Sequence, residues 1–105
     1  MAAPYNPPVK NEDFIIYVSL DDMNSPGRAK ADPTLAAGDV QIKKDSGTFA
    51  NIGTLPAVDT AGDRVVKVTL TSTEMNADNV VIQFVDQTDP PEWADKIISI
   101  PTTSA

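Results

Sequence analysis

The hydrophobic positions of this chain follow the two-residue period of half-buried β-strands along most of its length. The clearest run is 79–86, in which Val80, Ile82 and Phe84 share one face. Similar alternation marks the other predicted strands, which are 13–20, 38–44, 48–50, 64–71 and 96–100. Because no segment keeps a helical period, the pattern predicts an all-β fold, an antiparallel immunoglobulin-like sandwich of about six or seven strands.

The inward-facing side chains of these strands form the predicted core. They are Phe14, Ile16, Val18, Val40, Ile42, Phe49, Val66, Val68, Leu70, Val80, Ile82, Phe84, Ile98 and Ile100. The first strand differs from the rest, because Ile15 and Tyr17 make its second face apolar as well. A strand with two apolar faces is predicted to be central in its sheet or covered on its outer side.

Turn residues divide the chain into segments. Residues 1–12 contain three prolines and form a predicted extended arm, which either contacts a neighbouring chain or is a disordered terminus. Residues 13–101 form the predicted sandwich domain, and 102–105 form a polar tail. The length of 105 residues fits one such domain.

Three connections carry more specific predictions. Asp45-Ser46-Gly47 is typical of a hairpin turn in which glycine takes a positive φ. Residues 72–76 fit one helical turn, capped by Ser72 or Thr73 and followed by Met75 at the end of the core. Residues 21–37 form a long loop and are the first place where we expect partner contacts.

Candidate contact residues are aromatic, proline and other side chains outside the predicted strands. They are Tyr5, Pro7, Pro8, Met23, Pro26, Arg28, Pro33 and Trp93. Trp93 has a second interpretation, as a lid over one end of the sandwich.

The charge balance narrows the choice of partner. Fifteen acidic residues, eight basic residues and no histidine give a formal net charge of −7. Such a chain repels nucleic-acid phosphates and anionic membranes, so we expect neither as a partner. No apolar run is long enough to span a bilayer, and the start lacks the pattern of a signal peptide. We therefore expect synthesis in the cytoplasm.

The sequence offers few groups for catalysis. Without histidine or cysteine it has no Ser-His-Asp triad, no Cys-His pair and no imidazole metal site. The nearest candidates for glycoside hydrolysis or calcium binding are the carboxylate pairs Asp21–Asp22 and Asp86–Asp89. Both pairs lie at strand ends, where Asp commonly serves turns. We predict no enzyme activity and no cofactor.

Three segments resemble a small β module that recurs in virion proteins of tailed phages. Asp39–Phe49 is similar to its strand and "KDGG-x-F" hairpin, 67–71 to its "KVTLT" strand, and 79–85 to the apolar strand that follows. The resemblance covers roughly residues 35–100. The chain departs from the module at 64–66, where it has Arg-Val-Val in place of Gly-Trp-Tyr.

The resemblance implies a non-enzymatic structural protein located in the virion. A capsid decoration or cement protein would bind the major capsid protein and stabilise the head shell. A neck, tail or baseplate component is the alternative, and self-association is compatible with either. A carbohydrate-binding or adhesion module is a further hypothesis, although the chain has only six aromatic residues and the three Phe are predicted core residues.

Overall fold

The computed structural model describes residues 7–25 and 27–103, which form six β-strands and no helix. The strands are β1 (Phe14–Val18), β2 (Val40–Lys44), β3 (Ala50–Asn51), β4 (Val66–Leu70), β5 (Asn79–Phe84) and β6 (Lys96–Pro101). The predicted all-β fold is therefore confirmed. A helix able to cross a bilayer is absent from the part of the chain described.

The strands form two antiparallel sheets. β1 pairs with β4, and the larger sheet has the order β3-β2-β5-β6. Two antiparallel sheets of this kind are consistent with a β-sandwich. A single bridge from Ala57 to Lys67 occupies the second edge of β4.

The core lies between the two sheets and matches the predicted strand faces closely. Ten predicted residues are buried: Val18, Val40, Ile42, Val66, Val68, Leu70, Val80, Ile82, Phe84 and Ile100. Phe14, Ile16 and Ile98 are half-buried and pack against this cluster. Met75 is fully buried, as expected for the end of the core.

Phe49 is the predicted core residue that the structure places elsewhere. It is half-buried and lies outside the core cluster, with the Lys43 Nζ 5.8 Å from the centre of its ring. The reason is its position before β3, a strand of only two residues at the edge of the larger sheet. A cation–π contact and the lysine stem cover the ring instead of the core.

Two turn predictions also need correction. Asp45, rather than Gly47, takes the left-handed conformation, with φ of 52°. Glycine at position 47 suits the turn for a different reason, since a Cβ there would lie 3.1 Å from the Lys44 carbonyl oxygen, a tight contact. At the helical turn, Thr71 is the cap: its Oγ1 accepts from the Glu74 N–H, and Glu74 Oε1 accepts from the Thr71 N–H.

The first strand is neither central nor covered. β1 lies at the edge of the smaller sheet, and Ile15 and Tyr17 on its outer face are 44% and 55% exposed. The prediction of a central or covered strand was therefore wrong. One apolar face of β1 packs against the core, and the other is exposed.

Candidate interaction surfaces

The long loop after β1 begins as a small hairpin, here called the tip hairpin (residues 20–30). The Asp22 N–H donates to the Arg28 carbonyl at 2.8 Å, and the Lys30 N–H donates to the Leu20 carbonyl at 2.6 Å. Gly27 has a φ of 89°, which other residues adopt only under strain. The tip presents Met23, 48% exposed, and the exposed Arg28.

A second segment fixes the tip hairpin to the domain. Asp22 forms an antiparallel bridge with Trp93, the Met23 N–H donates to the Glu92 carbonyl, and the Ala94 N–H donates to the Asp21 carbonyl. The base of the predicted contact loop is therefore ordered by ladder-like hydrogen bonds. Met23 and Trp93, two of the candidate contact residues, take part directly in this arrangement.

Trp93 itself lies inside the protein. Its side chain is completely buried, and its indole N–H donates to the Thr34 carbonyl at 3.2 Å. Pro33, next to Thr34, is buried as well. Neither residue can contact a partner without rearrangement, so of the two interpretations of Trp93 the structural one fits its position.

Two buried carboxylates hold the loops at the same end of the sandwich. Asp39 accepts from the Ala36 N–H at 2.9 Å and from the Gln87 N–H at 3.1 Å. Asp86 accepts from the Thr88 N–H at 2.9 Å and from the Glu92 N–H at 2.7 Å. Asp39 thus joins the loop before β2 to the loop after β5, and Asp86 fixes the conformation of the loop that it begins.

The environment of Asp86 sets its ionisation. Burial alone would raise the pKa of this carboxyl, but hydrogen bonds from Glu92, Thr88 and Trp93 outweigh burial and leave the pKa below its ordinary value. Asp86 is therefore an ionised anchor at neutral pH. A lowered pKa and two engaged oxygens suit a structural carboxylate better than a general acid.

The end of the predicted arm docks on the domain. The Lys10 N–H donates to the Thr103 carbonyl, the Thr103 N–H donates to the Pro8 carbonyl, and the Asn11 N–H donates to the Met75 carbonyl. Lys10 also forms an exposed ion pair with Asp78 at 3.2 Å. Residues 8–11 are therefore hydrogen-bonded to the domain, and Thr103 forms a parallel bridge with Val9.

Truncation should separate the two parts of the arm. Removing residues 2–6 keeps all three backbone hydrogen bonds of residues 8–11 and should therefore lower the free energy of unfolding by less than removing residues 2–12 does. Removing residues 2–12 should lower it by about 1–4 kcal/mol, since three backbone hydrogen bonds are lost. Urea denaturation followed by circular dichroism measures both. Equal stability of the two truncated chains would contradict the docking.

The other candidate contact residues are spread over the chain. Pro7 and Pro8 are half-buried beside the docked segment, whereas Tyr5 and Pro26 lie outside the described residues. The structure thus brings Met23 and Arg28 together on the tip hairpin and does not join them to the arm.

A second exposed apolar surface was not among the contact residues predicted from the sequence. It is the outer face of the smaller sheet, made by Ile15, Tyr17 and the exposed Val65. The Tyr17 hydroxyl donates to Asp59 at 3.2 Å, which holds the ring on this face. The signal was present in the sequence as the second apolar face of the first strand.

The surface also has two shallow clefts. One, of about 460 Å³, lies at the β2–β3 hairpin beside Lys44 and Glu74. Its polar groups already have partners: Glu74 Oε2 accepts from the Gly53 N–H, and Lys44 donates to the Thr73 carbonyl. The other, of about 340 Å³, lies between residues 32–35 and 55–58 and is mostly apolar. Neither cleft gathers free catalytic groups.

Within residues 7–25 and 27–103, no three acidic side chains come together in a way that would hold a metal ion. Asp39 and Asp86, at the loop end, accept hydrogen bonds from backbone N–H groups, as described above.

Comparisons with protein-family models, curated proteins and solved structures gave no match.

Proposed function

We propose that this chain is a non-enzymatic structural protein of a tailed-phage virion, which decorates the head shell and stabilises it by repeated surface contacts. The observation that carries the proposal is the resemblance of 39–49, 67–71 and 79–85 to a module of virion proteins. In the fold these segments form β2 with its hairpin, β4 and β5. They supply seven of the fifteen buried hydrophobic side chains in the described part of the chain.

The tip hairpin is the contact surface that we assign to the shell. It projects a flexible apolar side chain, Met23, beside the cationic Arg28, on a base held by ladder hydrogen bonds. Arg28 adds a positive charge beside Met23 that can pair with a carboxylate of a partner. Many identical contacts over a symmetric shell add to stable attachment even when each is modest.

The test uses particles of the phage whose genome encodes the chain, produced with that gene deleted. Purified protein is added back, and the bound copies per particle are counted by quantitative mass spectrometry. Hundreds of copies support the shell, whereas a dozen or fewer assign the chain to the neck, tail or baseplate. Absence of binding, together with absence from particles of the parent phage, contradicts the proposal.

A matched pair of variants tests the tip hairpin. Met23→Asp should weaken binding by roughly tenfold or more, because it places an unpaired charge in a contact that excludes water. Leu55→Asp is the control, since Leu55 is an exposed apolar side chain on a different loop. Equal binding of the two variants would remove the tip hairpin from the interface.

A further inference from the structure

The two sheets have four edge strands in the described part of the chain, and they are not equivalent. On β4, the edge away from β1 is occupied by the bridge between Ala57 and Lys67. β3 has only two residues. β6 begins with Lys96 and ends with Pro101, and both residue types discourage pairing with another chain. β1 has five residues, FIIYV, without a charge or a proline. It is therefore the one edge among them that lacks these protections.

On the side of β1 away from β4, the backbone groups have no strand partner among residues 7–25 and 27–103. The register of β1 pairs Phe14 with Leu70 and Val18 with Val66 along β4, and no other strand lies beside it within the described residues. A strand at a sheet edge offers its remaining N–H and C=O groups to any strand of suitable side chains. Ile15 and Tyr17 add an exposed apolar surface beside those groups.

We propose that β1 pairs with β1 of a second copy of this chain, antiparallel and centred on Ile16. The two small sheets then join into one continuous four-stranded sheet across a two-fold axis. This inference rests on the fold alone and is independent of the proposed virion function.

The sequence of β1 is complementary to itself in that register. Ile16 faces Ile16 of the second copy, Phe14 faces Val18, and Ile15 faces Tyr17. On the exposed face, two Ile–Tyr pairs meet across the joint, and aromatic with β-branched pairs are favourable neighbours in antiparallel sheets.

The absence of charge on β1 makes it a place where two copies can meet. The protein carries a net charge of −7, so two copies repel one another over most of their surfaces. β1 is a neutral strip, and the flanking Asp13 would lie opposite Ser19 instead of another carboxylate. Asp13 is moreover engaged with the Ser72 N–H at 2.7 Å. The joint therefore brings no like charges directly opposite each other.

The size of the joint indicates a reversible dimer. Two five-residue strands and a few side chains bury less surface than the roughly 1,200–2,000 Å² of a standard interface. Association should thus depend on concentration, and a repeated array would strengthen it by holding copies close together.

Sedimentation equilibrium of the full chain tests the proposal, with Ile15→Lys and Ile97→Lys as a matched pair. Ile97 is 68% exposed on edge strand β6, so both variants place a lysine at an exposed isoleucine. We expect Ile15→Lys to raise the dimer dissociation constant by roughly tenfold or more and Ile97→Lys to leave it unchanged. Circular dichroism confirms that both variants fold.

Three outcomes would overturn the proposal. One is a parent chain that stays monomeric up to about 1 mM. Another is equal weakening by the two lysine variants. The third is a monomeric parent chain that dimerises once residues 2–6 are removed, which would assign the edge to the chain's own residues 1–6.

Disulfide trapping tests the register. The chain has no cysteine, so Ile15→Cys and Tyr17→Cys each introduce a unique thiol. A mixture of the two variants should oxidise to a mixed dimer faster than either variant alone, because position 15 faces position 17 while identical positions are diagonal neighbours. If Ile15→Cys alone oxidises as fast as the mixture, the register is wrong.

Discussion

Trp93→Ala lowers the free energy of unfolding by about 3–5 kcal/mol, the range for truncating a large buried aromatic side chain. Trp93 is among the largest side chains that are fully buried. It fills the space between the tip hairpin and the residues around Thr34, to which its indole N–H donates. Alanine leaves a cavity there and removes the donor. Urea denaturation followed by far-ultraviolet circular dichroism measures the loss.

Trp93→Phe is the matched control. It keeps most of the apolar volume and loses only the indole donor and part of the ring, so the destabilisation should be clearly smaller. Hydrogen exchange should also rise at the Met23 N–H in Trp93→Ala, because that N–H donates to the neighbouring Glu92 carbonyl. A loss below about 1 kcal/mol in Trp93→Ala would mean that the ring is not part of the core.

Asp86→Ala lowers the free energy of unfolding at pH 7 by about 2–4 kcal/mol, because the N–H groups of Thr88 and Glu92 lose a charged acceptor in a buried place. Asp86→Asn loses less, since its amide oxygen still accepts one of the two bonds. Thermal and urea unfolding of the two variants and the parent protein measure these differences.

The effect of Asp86 depends on pH in a direction set by its pKa. Because the folded-state pKa is lowered from 3.8, the stabilisation by the ionised form is fully present above about pH 4–5. It is lost as pH falls through the folded-state pKa, when the carboxyl becomes protonated in both states. The stability gap between the parent protein and Asp86→Asn should therefore shrink below pH 4. Asp95→Asn, at an exposed position of the same segment, is the control. A gap independent of pH would contradict the anchoring role of the charge.

The period of two in the sequence was sufficient to predict which side chains are buried in the strands on both sides of the core. In β4, Val66, Val68 and Leu70 are all fully buried, as the alternation predicts. Such strands have a core face whichever partner they take, so their side-chain parity is a local property. This is why the fold class and most core residues followed from the pattern.

Features that depend on how distant segments meet did not follow from the pattern. Phe49 lies one residue before β3, which extends only two residues along the sheet edge, and nothing local sets that length. Trp93 lies among prolines in a predicted loop, and its burial requires the tip hairpin and Thr34 to converge on it. Long-range packing decided both positions.

The loop anchors have a sequence signal that becomes clear only with the topology. Asp39 precedes β2, and Asp86 follows β5 with one residue between. Because β2 and β5 are antiparallel neighbours, with Val40 opposite Phe84, these two carboxylates come to the same end of the sheet.

The candidate contact surface was predicted in part. Met23 and Arg28 were predicted as contact residues, and both are exposed on the tip hairpin. The apolar outer face of β1 was missed, because its exposure depends on which sheet edge β1 occupies.

Electron cryomicroscopy of particles with and without the chain tests the proposed function most directly. We expect difference density for a two-sheet domain repeated at symmetry-equivalent positions over the head shell, with the tip hairpin of Met23 and Arg28 directed at the capsid protein. Identical maps of the two kinds of particle would contradict it.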